Sequence, residues 1–142
     1  MTVRFKKIAY KDLSSKKQEI YNFQKIAGVL ASYGYTCIKL SDDWNGADFL
    51  AHRFDGKETF GVQLKSRITV EKKYCNKKLW IAFKDNAKLK ISWYLVPHDD
   101  LLAIIKQHTN WMNSDAWKKG GYSAHSLSEK LRKPLEKYLL LE

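Results

Sequence analysis

The feature that most constrains this chain is a change of period at Gly34. Over residues 15–33 the apolar side chains Phe23, Ile26, Leu30 and Tyr33 share one stripe at about 100° per residue, the pattern of a helix with one buried face. Ser15, with Gln18 three residues on, makes a capping box at its start, and Gly34 supplies a left-handed stop. Beyond Gly34, segments 35–40, 47–54 and 59–66 read as strands, with Asp55-Gly56 in the 55–58 connection marking a tight hairpin. Further aromatic and β-branched runs at 68–70, 79–83 and 91–96 extend the sheet. Pro97 closes the last of these, and Asp99-Asp100 open a helix reaching about Gln107 with acidic residues in its first turn. Residues 110–121 read as a tryptophan-bearing loop or short helix. Ser126 and Glu129 cap a C-terminal helix that Pro134 kinks or restarts. The expected class is α/β (α+β): an N-terminal helix, a mostly antiparallel or mixed sheet, and C-terminal helices.

The 142 residues fit one domain, 1–142, with little room for a second core. With 44% hydrophobic and 29% charged residues the chain is globular rather than disordered or collagen-like. Its longest apolar runs, 26–31 and 101–105, fall far short of the roughly 20 residues a membrane span needs, and no apolar stretch follows the basic N-terminus as a signal peptide requires. The expected location is cytoplasmic. Cys37 and Cys75 are too few for a disulfide framework, and His52, His98, His108 and His125 lack the spacing of zinc ligands.

Charge gives the first functional direction. Lys and Arg number 26 against 15 Asp and Glu, a net +11 with a pI of about 9.6, which favours a polyanionic partner. Basic residues spread over strands and turns do not form the basic amphipathic helix that membrane binding requires.

The residues that carry chemistry gather around the hairpin. Phe60, Val62 and Leu64 alternate with Gly61, Gln63 and Lys65, so Gln63 and Lys65 share the polar face of the third strand. A two-residue turn at 55–56 puts Asp48 opposite Gln63, and a four-residue loop at 55–58 puts it opposite Lys65. Either register collects all three on one face, with cross-strand Cβ separations of about 5 Å, whereas a three-residue loop scatters them. Glu19 lies in the middle of the apolar stripe of the first helix. It reads either as a first-turn carboxylate suited to the helix dipole or as a member of a buried polar site.

Asp48, fourteen residues, then Gln63-Leu64-Lys65, with Glu19 on the preceding helix, resembles the PD-(D/E)XK nuclease superfamily over residues 15–67. The run Trp93-Tyr94-Leu95-Val96-Pro97-His98-Asp99 is similar to small bacterial members of that group. The resemblance implies a restriction-endonuclease-like core of helix, three antiparallel strands, then further helix and strand, and magnesium-dependent hydrolysis of phosphodiesters. It makes Asp48 the metal-binding aspartate, Gln63 the second ligand position, Lys65 the catalytic lysine and Glu19 the helix glutamate of the resolvase-like branches. Ala47 stands where the motif has proline and Gln63 where it has Asp or Glu, as in some homing-endonuclease branches.

The chemistry accounts for these residue types. Phosphodiester hydrolysis needs a cation to neutralise developing charge and to acidify a water. Oxygen donors such as Asp48, Glu19 and the Gln63 carbonyl suit Mg2+ or Mn2+. Two carboxylates about 5 Å apart repel by about 3 kcal/mol at an effective dielectric near 20, so a cation or a proton belongs between them. Arg67 shares the strand parity of Lys65 and is placed to reach a phosphate, or else to solvate the surface. Lys72, Lys73, Lys77 and Lys78, with Tyr74 interleaved, read as backbone contacts with an aromatic to stack on a base, or as a solvated turn. Trp44 is a candidate for the cleft wall, and Trp80 and Trp93 for the core. The leading expectation is a magnesium-dependent endonuclease acting on DNA. The alternatives are a non-catalytic nucleic-acid-binding module with a decayed site, or a basic protein that meets an acidic partner protein. Homo-oligomer formation is left open.

Overall fold

The computed structural model describes residues 4–86 and 90–142. Helix α1 (Ser15–Ala31) starts one residue earlier than its expected capping box. The Ser14 hydroxyl accepts the Lys17 N–H at 3.2 Å, and Gln18 donates its side-chain amide to the Tyr10 carbonyl at 3.1 Å instead of closing the box. Gly34 takes the left-handed conformation its position implies, at φ 83°. Ile26, Val29 and Leu30 are buried and Phe23 half-buried. Tyr33, expected on the buried face, is 42% exposed because it lies past the last helical turn, where its hydroxyl donates to the Leu141 carbonyl.

Strands β1 (Tyr35–Trp44), β2 (Ala47–Arg53) and β3 (Thr59–Lys65) form an antiparallel meander. β1 runs past its expected end at Leu40 because Asn45 (φ 54°) and Gly46 (φ 87°) make a two-residue hairpin turn closed by the pair Trp44 and Ala47. β2 and β3 pair with Phe49 opposite Val62 and His52 opposite Thr59, the register expected from a two-residue turn. The loop is longer than that turn, however. Arg53 N–H donates to the Glu58 carbonyl and Gly56 N–H to the Arg53 carbonyl, so four residues, 54–57, reverse the chain.

Two elements depart from expectation. Residues 68–70 do not extend the main sheet. β4 (Thr69–Glu71) instead pairs with β7 (Gly121–Ser123) in a separate two-stranded sheet, drawn there by Ile68 and Val70 burying into the core. The short 3-10 turn at Lys72–Tyr74 occupies the connection where the resemblance implied a helix. The chain then enters β5 (Trp80–Asp85), which lies parallel to β3, and β6 (Ser92–Pro97) returns antiparallel to β5. Helix α2 (His98–His108) follows, then α3 (Asp115–Lys118), β7, α4 (Glu129–Leu135) and β8 (Leu139–Leu140), giving the main-sheet order β1-β2-β3-β5-β6-β8. Ser128, not Ser126, precedes α4, without a side-chain cap bond, and Pro134 in the last turn passes the chain to a 3-10 turn.

The sheet is buried on both faces. Ile81, Phe83, Tyr94 and Val96 pack against Leu101 and Ile105 of α2 and Leu131 and Leu135 of α4. Ala82, Trp93 and Leu95 join Phe49 and Val62 under α1. Alternate residues of β5 and β6 serve opposite cores, which is why both strands read as unbroken apolar runs. Trp93 is buried, while Trp80 is half-buried and lies against Phe60 with ring centroids 4.7 Å apart. At the far end of β5 the buried Asp85 carboxylate pairs with the Arg132 guanidinium, which also donates to the Leu127 carbonyl and fastens α4 to the sheet.

Candidate active site

Asp48 begins β2, Lys65 ends β3, and the first turns of α1 reach the same end of the sheet, so antiparallel pairing brings residues distant in sequence together. A cleft of about 360 Å³ is lined by Glu19, Asp48, Gln63 and Lys65 with Lys39 and Tyr10. A second cleft of about 360 Å³ opens on the other side of Asp48 and Gln63, between Asp42 and Asp43 of β1 and Lys73 and Lys77. Asp48 and Gln63 are thus the shared wall of two concavities.

The Asp48 carboxylate is anchored by one oxygen. Oδ2 accepts the Leu64 backbone N–H at 2.8 Å, a bond made possible by the β2/β3 register. Burial pushes its pKa up. The Leu64 bond and the charges of Lys65 and Lys39 pull it down, and Glu19 adds a smaller upward push. Desolvation, more than the expected carboxylate repulsion, therefore dominates. Glu19 itself is exposed on the cleft rim rather than buried in the helix stripe.

Lys65 bridges to Glu71 at 3.2 Å, and its ammonium lies 5.6 Å from the centre of the Tyr74 ring. Glu71 is the functional candidate that sequence reasoning passed over. Its N–H donates to His98 Nε2 at 3.1 Å, β7 pins its backbone, Lys73 reaches it at 3.8 Å, and the Tyr74 hydroxyl bonds its carboxylate. Burial pushes the Glu71 pKa up, but the Tyr74 and Lys65 bonds outweigh it and hold the carboxyl low. The same contact, added to burial, drives the Tyr74 hydroxyl far above its ordinary range.

Tyr74 is a correction to the sequence reading. It is 4% exposed, with its ring edge against His98, so it packs the site floor and offers no face to a base. Lys72, Lys73, Lys77 and Lys78 are exposed around it. Lys72 already caps the Lys118 carbonyl and lies 5.4 Å from the Trp117 ring centre. Arg67 is exposed beyond the end of β3, in an open groove it shares with Lys65 and Lys119. Trp44 stands 58% exposed at its hairpin tip and lines neither cleft.

A second set of donors comes together from residues that looked scattered. Cys75, His98 and Asp99 place ligand atoms within 4.8 Å of one another, a group that could hold a metal ion. His98 Nε2 accepts the Glu71 N–H, which assigns the ring proton to Nδ1, the nitrogen 3.7 Å from Asp99. Ligation through Nδ1 requires that proton to leave, whereas the oxygen donors at Asp48 need no such change. Among the described residues no helix is long and apolar enough to cross a membrane.

No protein-family model matches the chain, and no curated protein matches it. Among solved structures it is similar to Hjc, a Holliday junction resolvase from the archaeal hyperthermophile Archaeoglobus fulgidus, with a TM-score of 0.44 and 10% identity over 57% of this chain and 73% of that one.

Proposed function

We propose that this protein is a metal-dependent endonuclease that hydrolyses phosphodiester bonds in DNA. The observation that carries the reading is the shared wall: a partly desolvated Asp48 carboxylate beside Gln63, with the Lys65 ammonium and Glu19 in the same cleft. With Oδ2 held by Leu64, Asp48 keeps Oδ1 for a ligand. The set Asp48 Oδ1, Gln63 Oε1 and a Glu19 oxygen is all hard oxygen, which fits Mg2+ or Mn2+. A divalent ion held there supplies charge neutralisation and an acidified water. Lys65 would donate to a non-bridging phosphate oxygen and offset the charge developing there as the water oxygen bonds to phosphorus and the bond to the leaving sugar oxygen breaks, with solvent in the open cleft taking the water's proton and returning one to the leaving oxygen. Glu71 keeps the ammonium at the cleft mouth, and Lys39, Lys73 and Lys77 offer cations on either side for the strand.

Nicking of supercoiled plasmid in magnesium tests this. Asp48→Ala and Lys65→Ala should each lose about 100-fold or more of the activity while retaining most DNA affinity, because they act on the transition state and the basic surface supplies ground-state binding. Gln63, neutral where an anion would hold the ion more firmly, favours the non-catalytic module as second reading. Tight, salt-sensitive binding with no cleavage of duplex, junction or single strands would select it. Equal cleavage by wild type and both variants would place the activity elsewhere.

A further inference from the structure

Lys84 of β5 is 5% exposed; among the described residues neither a carboxylate nor a hydrogen-bond acceptor partners its ammonium, whose nitrogen keeps a small opening to solvent. Two aromatic faces hold it instead: the Tyr10 ring centre lies 4.0 Å away and that of Trp93 5.9 Å. Burial pulls its pKa down. A methionine would fill such a site without a desolvation cost, so a lysine there asks for a reason beyond packing.

Its place in the sheet supplies one. β3 and β5 run parallel with Lys65 beside Phe83, so Lys84 is one position further on, level with Ser66. It therefore sits at the carboxyl ends of the two parallel strands, where open sheets bind ligands. Lys65, Ser66 and Tyr10 all line the cleft that holds Asp48, and Tyr10 is the side chain between that cleft and the Lys84 ammonium. Tyr10 comes from the segment preceding α1. Its hydroxyl accepts from Asn22 at 2.9 Å and its ring meets Tyr21 edge-on at 5.3 Å, so uncovering the ammonium means giving up these two contacts, which a bound strand would have to offset.

We infer that Lys84 is a second phosphate-binding cation of this site, covered by the Tyr10 ring in the free protein and uncovered when a nucleic-acid strand enters the cleft. The inference rests on the nucleic-acid reading above but not on cleavage.

Binding of short duplex DNA in EDTA, measured across a salt series for wild type, Lys84→Met and Tyr10→Ala, tests it. Lys84→Met should melt a few degrees higher, bind several-fold more weakly and show a log-log salt slope shallower by about 1. Tyr10→Ala should bind as tightly as wild type or more so, with no ring left to displace. If Lys84→Met does not fold, Lys84→Gln gives the same readout. Wild-type affinity and slope in the Lys84 variants, or a loss of affinity in Tyr10→Ala, overturns the inference. Absence of cleavage by wild type together with the slope change would sink the nuclease reading alone. Cleavage that depends on Asp48 with an unchanged slope would sink this inference alone, and no binding by wild type rejects both.

Discussion

Gln63 and Glu71 set the electrostatic character of the site between them. Gln63 brings an oxygen without charge, while Glu71 brings charge but spends it on Lys65. Replacing Gln63 by Glu adds an anion at nearly constant shape, so manganese titrated calorimetrically should bind more tightly to Gln63→Glu than to wild type. Failure of both to bind at millimolar manganese would confine the ion to the DNA complex or remove it from the account. Glu71 carries a pH signature as well. A carboxyl whose folded pKa lies below its unfolded value contributes stability above the unfolded pKa, near 4.3 for a glutamate, and loses it as pH falls through the folded value. The stability gap between wild type and Glu71→Gln in urea melts should therefore be present at pH 7 and close as pH drops below about 4. A gap that widens on acidification would reverse the assignment. Asp48, Gln63 and Lys65 were legible in the sequence because alternation along one hairpin gathers them. Glu71 was not, because its place depends on β4 pairing with β7 from far along the chain. Tyr74 was misread because a buried aromatic beside exposed lysines has no period of its own, and Lys84 was missed because nothing in a lysine that follows the apolar run 79–83 marks it as buried.

At the scale of elements, the register of β2 against β3 matters most, since it sets Asp48 against Gln63 and lets Leu64 anchor the carboxylate. Gly61 permits that approach. A Cβ there would come 2.9 Å from the Ala47 Cβ, so Gly61→Ala should destabilise the fold by about 1 to 3 kcal/mol and disturb the adjacent Asp48, read by chemical denaturation and by plasmid nicking. Unchanged stability would mean that the strands can separate without harm. A glycine on the polar face of β3, between larger side chains, signals close backbone approach, and it went unread in the sequence. The same kind of local chemistry was present and unread in Asn45-Gly46, which extends β1 to Trp44. Helix α1 was legible through its period, but a serine pair offers two caps, and only Ser14 places its hydroxyl on a free N–H. The fate of residues 68–70 could not be read locally, because an apolar run of three residues fits either sheet.

Across the whole molecule, two faces of one sheet are closed by α1 on one side and by α2 with α4 on the other, and α4 is tied down by the buried pair of Asp85 and Arg132. Removing the cation takes away one partner of the buried Asp85 carboxylate, so Arg132→Met should cost about 1 to 3 kcal/mol in chemical denaturation. A loss under 1 kcal/mol would show that Asp85 relaxes toward solvent. The net charge of +11 acts at this scale too. If about four phosphates are neutralised, the log-log salt slope for duplex DNA should lie near -3.5, and replacing Lys72 and Lys73 together by alanine should flatten it by up to about 2. The claim on which the rest depends is that Asp48, Gln63 and Glu19 form the ion site, and anomalous diffraction from crystals soaked in manganese tests it most directly. The account predicts a peak within ligating distance of Asp48 Oδ1 and Gln63 Oε1. A peak at Cys75, His98 and Asp99 with none at Asp48 would contradict it.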